Sequence, residues 1–280
     1  MIRTRNCDLN IKRCCEVAGV SRALVYYEPK ETLPHPLADE IARVADAFPA
    51  YGYRRVERKL CKEGFQISEK ETRLQMRKMG LLRRRKPRKT QTTYSVPVDE
   101  QNRAKGFVPT APNQLWVSDI TYIPVGKRGC GYFAAVIDAY SRKVLGYHFG
   151  TSLHTDLCLK ALLMALNARQ LAQGWIHHSD RGSQYASNEY RGLVAENGGL
   201  MSFSGAGRPR DNAIAESFFK TLKAEEVLCS EYDTLETAGN ALRRFIDKDY
   251  NLIRLHSSLG YESPADFETL KAEERLKSCV

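Results

Sequence analysis

At Gln114 the chain changes its period, and that change restricts the available folds more than any other feature. Leu115 to Ile123, Tyr132 to Asp138 and Val144 to Phe149 are short apolar or alternating runs. Gly126, Gly129, Gly131 and Ser141 punctuate them, which predicts three antiparallel strands. Asp156 to Gln173 then has a helical pattern, Gly174 to His178 that of a short buried strand. Glu189 to Asn197 predicts a helix, Leu200 to Ser204 a strand, and Gly205 to Arg210 a loop. Asp211 to Leu228 predicts a long helix capped by Asp211 itself. Three strands followed by alternating helices and strands make a mixed α/β unit. A further helix over about Leu235 to Tyr250 and a looser tail complete the chain.

Before Gln114 the chain is helical and basic. Residues 11–27 read as helix, turn, helix, with Gly19 at the turn and Ser21 capping Arg22 to Tyr27. Tyr53 to Glu63 is amphipathic, with Val56, Leu60 and Cys61 on one side, and Gly64 ends it. Ser68 and Glu71 form a capping box for a following helix that closes at Gly80. That helix displays Lys70, Arg73, Arg77 and Lys78, suited to DNA phosphates or base edges. The plainer alternative is a helical hairpin with a charged outer face.

The net charge of +10 is unevenly spread. Residues 1–105 hold 24 Lys and Arg against 13 Asp and Glu, whereas residues 106–280 hold 19 against 20. A polyanion-binding arm on a near-neutral body fits that asymmetry. Its sharpest stretch is Arg83-Arg84-Arg85-Lys86-Pro87-Arg88-Lys89. Eight scattered cysteines form no Cys-x-x-Cys pair, and the start lacks the apolar stretch of a secretion signal. Reduced thiols are expected, with neither a disulfide framework nor a zinc site. No apolar run is long enough to span a membrane.

Three acidic residues stand out against this layout. Asp119 falls in the first strand, Asp180 just past the fourth, and Glu216 in the first turns of a helix. Adjacent strands bring the aspartates together, and a helix packed on the sheet supplies the third group. Clustered carboxylates repel unless a divalent cation compensates. Mg²⁺ wants oxygen ligands, and Mn²⁺ fits the same cage. Two such ions can activate a nucleophile and stabilise the leaving oxygen of a phosphodiester. Glu216, Lys220 and Lys223 recur on one helical face, so the lysines are candidates for DNA phosphate, with a Glu216–Lys220 ion pair as the alternative. Asn212, one turn before Glu216, is a candidate support for the metal site. Arg208 and Arg210, in the glycine-rich loop, are further candidates for phosphate.

These residues carry a family resemblance. Trp116-Val117-Ser118-Asp119-Ile120-Thr121-Tyr122, His178-Ser179-Asp180-Arg181-Gly182-Ser183-Gln184-Tyr185 and Asp211-Asn212-Ala213 through Glu216 to Lys223 form three of its motifs. Tyr250-Asn251, Arg254, His256, Leu259-Gly260 and Ser263-Pro264 form a fourth. The chain resembles the OrfB-type transposases of the insertion-sequence-three family, whose core is shared with retroviral integrases. The 35 residues between Asp180 and Glu216 agree with that family. The resemblance implies a ribonuclease-H-like catalytic core over residues 113–230, preceded by an all-α helix-turn-helix DNA-binding region over 1–85 and a basic, polar linker over 86–112. Residues 231–280 then form a C-terminal helical extension.

It also implies that Asp119, Asp180 and Glu216 bind catalytic Mg²⁺, two ions per site, with Mn²⁺ able to substitute. The implied chemistry is nicking at the ends of a bacterial insertion sequence, then attack by the freed 3′-hydroxyl on another phosphodiester. Expected partners are the terminal repeats, target DNA, further copies of the chain, and an upstream-frame fusion partner. The expected location is the bacterial cytoplasm, at the nucleoid. Two readings compete: a non-catalytic DNA-binding regulator descended from a transposase, and a nuclease on the same core that cuts without joining.

For several residues a functional and a structural role both fit the sequence. His177 and His178, beside Asp180, and His256 are read as structural before any ligand role. Trp116 and Tyr185 suit either base stacking or core packing.

Overall fold

The computed structural model describes residues 11–22, 35–82, 102–126, 129–205 and 209–278. Two compact units divide the chain, residues 1–39 and 40–280. In the first, α1 (Ile11–Ala18) ends at Gly19, whose φ of 64° makes the left-handed turn that closes a helix. The helix expected over Arg22 to Tyr27 lies, beyond Arg22, outside the described residues.

In the second unit, α2 (Ala38–Ala47) from Glu40 onward, α3 (Tyr53–Lys62) and α4 (Glu69–Lys78) enclose a small core of Ile41, Val44, Tyr51, Val56, Leu60 and Met76. Ser68 caps α4 by accepting the Glu71 N–H at 3.2 Å. Cys61, expected on the inward side of α3, is exposed, because one residue past Leu60 the helix has turned by about 100°. The sequence reading had no counterpart of α2, which supplies two of the buried side chains.

Five strands form the main sheet. They are β1 (Leu115–Val125), β2 (Gly129–Asp138), β3 (Val144–Gly150), β4 (Trp175–Ser179) and β5 (Gly199–Phe203), in the order β3-β2-β1-β4-β5. β1, β2 and β3 pair antiparallel, whereas β4 runs parallel to both β1 and β5. Between and after them come α5 (Thr155–Asn167), α6 (Ser183–Ala186), α7 (Asn188–Glu196), α8 (Ala213–Leu222), α9 (Leu235–Arg244) and α10 (Pro264–Ser278). This is the mixed sheet of a ribonuclease-H-like core.

Both faces of the sheet are covered, so β1 is apolar on alternate sides. Leu115, Val117 and Ile123 share one face with Phe133 and Ile137, packed against Ala215, Phe218, Phe219 and Leu222 of α8. Trp116 shares the other with Ala134 and Val136, under Leu157 and Leu162 of α5 and Tyr190 of α7. Each such large apolar side chain contributes roughly 1.5–3 kcal/mol on burial.

Three segments depart from the sequence reading. α5 stops at Asn167 rather than Gln173, because Arg169 reaches Glu268 of α10 at 2.7 Å and Leu171 packs on the core. Asp211 does not cap a helix. It lies in a tight turn over Pro209–Asn212, and its carboxylate accepts the Gly205 N–H at 3.0 Å and the Asn102 amide at 2.8 Å. α8 then begins at Ala213 and passes into a π-helical turn, Lys223–Val227. The expected looser tail is largely α10, with Ser263 accepting the Asp266 N–H and Pro264 at the first helical position.

α5 approaches β3 so closely that Gly146 has no room for a side chain. A Cβ there would stand 2.1 Å from the Ala161 carbonyl oxygen and 2.6 Å from the Ala165 nitrogen. Gly146→Ala is expected to destabilise the chain by about 1–3 kcal/mol through overpacking. Gly192→Ala, in α7 with nothing within 4 Å of its Cβ, is expected to be neutral or stabilising. Denaturant unfolding of both variants checks this; equal stability would contradict the packing described.

Candidate active site

β1 and β4 set the first two acidic residues side by side. Leu115, Trp116 and Val117 pair with Ile176, His177 and His178. Two residues further along that register, Asp119 stands level with Asp180, which follows the last residue of β4. Neighbouring strands lie about 4.8 Å apart, so the two carboxylates spring from adjacent backbones. By alternation Asp119 points to the face that α8 covers, and Glu216 sits in the first turn of α8.

Local hydrogen bonds orient each aspartate. Asp119 Oδ1 accepts the Ile120 N–H at 2.8 Å, and Asp180 Oδ1 accepts the Gly182 N–H at 3.0 Å. Burial, the charge of Asp180 and, less, the charge of Glu216 push the Asp119 carboxyl up to about 7. The Ile120 N–H and Lys223 act in the opposite sense. Burial raises Asp180 as well, against its bond from Gly182. Lys223, half-buried, is held below its ordinary value by desolvation, with Asp119 opposing. Glu216 lies 3.0 Å from Lys220 Nζ, the i,i+4 ion pair that helical spacing allows.

Asn212 links these elements. Its side-chain amide donates to the Ser118 carbonyl at 2.9 Å, tying the start of α8 to the strand residue before Asp119. Asn212 and Ser118 are both buried.

The donor set suits a hard divalent cation. Asp119, Asp180 and Glu216 offer only oxygen, and both aspartates resist ionisation where they stand. A dication lodged among them would reverse that resistance. Among the described residues no three acidic, histidine or cysteine side chains are gathered about a single point. The three carboxylates are in electrostatic reach of one another without forming a closed cage.

The histidines of β4 are structural. Ser202 Oγ accepts N–H groups from Arg103 and Ala104, so its own proton goes to His178 Nδ1 at 2.9 Å. His178 therefore carries its proton on Nε2, facing Ser204 Oγ at 3.1 Å. His177 meets the Tyr190 hydroxyl at 2.8 Å. Burial lowers both, to about 3 for His177 and about 4 for His178, and keeps them neutral.

His256 is likewise buried, edge-on to Tyr250 and beside Arg254. Trp116 and Tyr185 do not offer themselves to bases: Trp116 packs on Trp175 and Tyr185 on Tyr190 in the interior.

On α4, Lys70, Arg73 and Arg77 are exposed, with Arg73 over the Tyr53 ring at 5.5 Å. Arg83, Arg84, Arg85, Lys86 and Arg208 lie outside the described residues, as does the side chain of Arg210.

The fourth motif contains residues whose role the sequence did not reveal. Arg254 makes a bidentate pair with Glu225, both bonds at 2.8 Å, on the helical continuation of α8. Asn251 exchanges two bonds of 3.0 Å with the Val144 backbone at the start of β3. Partners 29 and 107 positions away leave no local pattern to read.

Profiles described as integrase core domain match residues 109–209 and 198–264, and one described as an HTH-like domain matches residues 35–89. The chain is 36% identical over 265 residues to the insertion element IS600 uncharacterized 31 kDa protein of Shigella sonnei, covering 90% of this chain and 96% of that one. It is 30% identical over 279 residues to the transposase InsF for insertion sequence IS3A of Escherichia coli (strain K12), covering 95% and 96%. Among solved structures, the HTLV-2 integrase catalytic core domain in complex with magnesium aligns with 57% of this chain and 98% of its own, at 15% identity and a TM-score of 0.44.

The raised Asp119 fixes a pH dependence. An ordinary aspartate ionises near 3.8, and the folded one near 7. Between those values the folded chain keeps a proton that the unfolded chain has released, so stability falls as pH rises. Without metal, Asp119→Asn is expected to melt above the parent at pH 8, the gap narrowing as pH falls to 5. Mg²⁺ is expected to stabilise the parent at pH 8 and the variant much less. Thermal melts with EDTA or Mg²⁺ check both; a parent with no such slope and no response to metal would contradict the site.

Proposed function

The chain belongs to the IS3-family insertion-sequence transposases, and from that premise we propose that Asp119, Asp180 and Glu216 hold the divalent cations of its strand-transfer site. The protein is a DNA transposase of a bacterial insertion sequence, and its integrase core belongs to polynucleotidyl transferases. The observation that carries the proposal is the level placement of Asp119 and Asp180 on parallel neighbouring strands, with Glu216 on the helix over the same face.

On this reading water first cleaves a phosphodiester at the element end and frees a 3′-hydroxyl. That hydroxyl then attacks a second phosphodiester, and a new ester forms as an old one breaks. Asp119, Asp180 and Glu216 would hold two Mg²⁺ ions, replaceable by Mn²⁺, which when bound would supply Lewis acidity at the scissile phosphate and lower the cost of the attacking oxygen's charge. The chain's own groups do the rest. Asp119 and Asp180 arrive already oriented by the Ile120 and Gly182 N–H groups, so little reorganisation remains. Asn212 keeps α8, and with it Glu216, in register with β1. Lys223, partly desolvated beside Asp119, would meet a DNA phosphate. Lys220 is free to exchange Glu216 for phosphate, since its side chain is 76% exposed.

Lys70, Arg73 and Arg77 of α4 would read or grip the terminal repeats. Residues 1–85 are proposed as the DNA-binding region, 86–112 as a basic linker, 113–230 as the catalytic core and 231–280 as its helical extension, with Arg83, Arg84, Arg85 and Lys86, where the first two meet, contacting phosphates. No helix among the described residues is long and apolar enough to cross a membrane. The site of action is the nucleoid, in a complex of several copies, with an upstream-frame fusion partner joining end recognition.

The test is a labelled duplex carrying the flanking terminal repeats, incubated with the full chain and Mg²⁺ or EDTA. Asp180→Asn is expected to retain binding while nicks and joined products fall at least about 100-fold, beyond the usual loss for a residue that only supports a ligand. Unchanged cleavage by this variant would sink the assignment.

A further inference from the structure

The helical region of residues 40–82 is fastened to the catalytic core by contacts that bear on the active-site helix. Glu225, which Arg254 holds bidentate, also lies 3.7 Å from Arg55 of α3. Glu225 belongs to the π-helical turn that continues α8, nine residues beyond Glu216, about 13 Å at 1.5 Å per residue. One continuous helix therefore carries a catalytic carboxylate at one end and an anchor for the DNA-reading unit at the other.

Further contacts surround that anchor. The buried Tyr51 hydroxyl accepts the Leu255 N–H at 3.0 Å, and the Arg55 guanidinium sits 5.5 Å over the Tyr51 ring. At the rim, Arg58 lies 5.4 Å over the Tyr261 ring and Lys62 pairs with Glu262. A single exposed ion pair holds little, but a buried hydroxyl, a shared, partly buried carboxylate and two rim contacts act together. Nothing in this set needs a bound ligand to form.

We infer that this junction acts as a ruler: Tyr51, Arg55, Arg58 and Lys62 are positioning residues that fix how far from the recognised repeat the strand is cut. The inference rests on the catalytic reading above and adds a specificity to it. A repeat bound on α4 is presented to Asp119, Asp180 and Glu216 at one offset because α3 cannot shift on the 250–262 segment. With the junction loosened, the same bound repeat reaches the carboxylates at several offsets. Recognition and chemistry would survive, while the position of the cut would blur.

The test uses the full-length chain with Arg58→Glu and Lys62→Glu together, which sets an acidic side chain against Glu262 and takes the cation from the Tyr261 ring, on an exposed surface where folding is not at risk. On duplexes with the terminal repeats, nicks are expected to spread from one phosphodiester to its neighbours, severalfold more than in the parent. Joining of pre-nicked ends is expected to proceed as in the parent. Adding Glu262→Lys is expected to restore a single cut position, an outcome that lost DNA contacts by Arg58 and Lys62 would not give. Tyr51→Phe, which leaves the Leu255 N–H without its partner, is expected to spread the cuts in the same way. Unchanged sharpness in both the charge-reversed and Tyr51→Phe proteins would overturn the ruler while leaving the catalytic reading standing. Failure of the parent to join pre-nicked ends, with the upstream-frame partner supplied, would overturn both.

Discussion

Everything at the candidate site depends on one strand pairing, the parallel contact of β1 with β4. The chain must travel through β2, β3 and α5 before β4 can lie beside β1, and the register it finds there brings Asp119 level with Asp180. Parallel strands have both faces covered, which leaves Asp119 only partly exposed to water. Burial and like charge then act in the same direction on its carboxyl. The fold therefore stores an electrostatic debt at this point, and a divalent cation is the chemical species best suited to discharge it. A substitution that merely kept the fold would have no reason to keep the cost.

The remaining structure keeps Glu216 near that pair. Asn212 fastens the beginning of α8 to the Ser118 carbonyl, and Arg254 fastens its far end through Glu225. Between them Phe218, Phe219 and Leu222 seat the helix on the sheet. Polar bonds at the two ends and apolar packing between them fix rotation as well as translation, which packing alone does poorly. Asn251, bonded to both backbone groups of Val144, ties the C-terminal segment to the sheet edge, so the anchor is itself anchored.

How much of this was legible in the sequence follows from the range of each interaction. The strands announced themselves by alternation and glycine punctuation, and the acidic residues by the elements they fell in. Ser68 with Glu71 gave the start of α4, because a cap acts within one turn. Ser263, Pro264 and Asp266 carried an equally local signal for α10, and the tail could have been read from it. Asp211 looked like a cap for the same reason, but its carboxylate is claimed by Gly205 and Asn102, the latter 109 residues away. Trp116 and Tyr185 could not be assigned by type, since an aromatic ring suits a core and a base equally. The Arg254 to Glu225 pair and the grip of Tyr51 on Leu255 arise only once the chain has folded, and no periodicity foreshadows them.

The central claim is that Asp119, Asp180 and Glu216 together form a divalent-cation site. A crystal of the full-length chain grown with Mn²⁺, with anomalous scattering recorded at the manganese edge, tests it most directly. The account predicts anomalous peaks within coordination distance of the Asp119 and Asp180 carboxylates, with Glu216 released from Lys220 to meet the metal. Manganese bound elsewhere, or a Glu216 still paired with Lys220 while both aspartates stay bare, would contradict it.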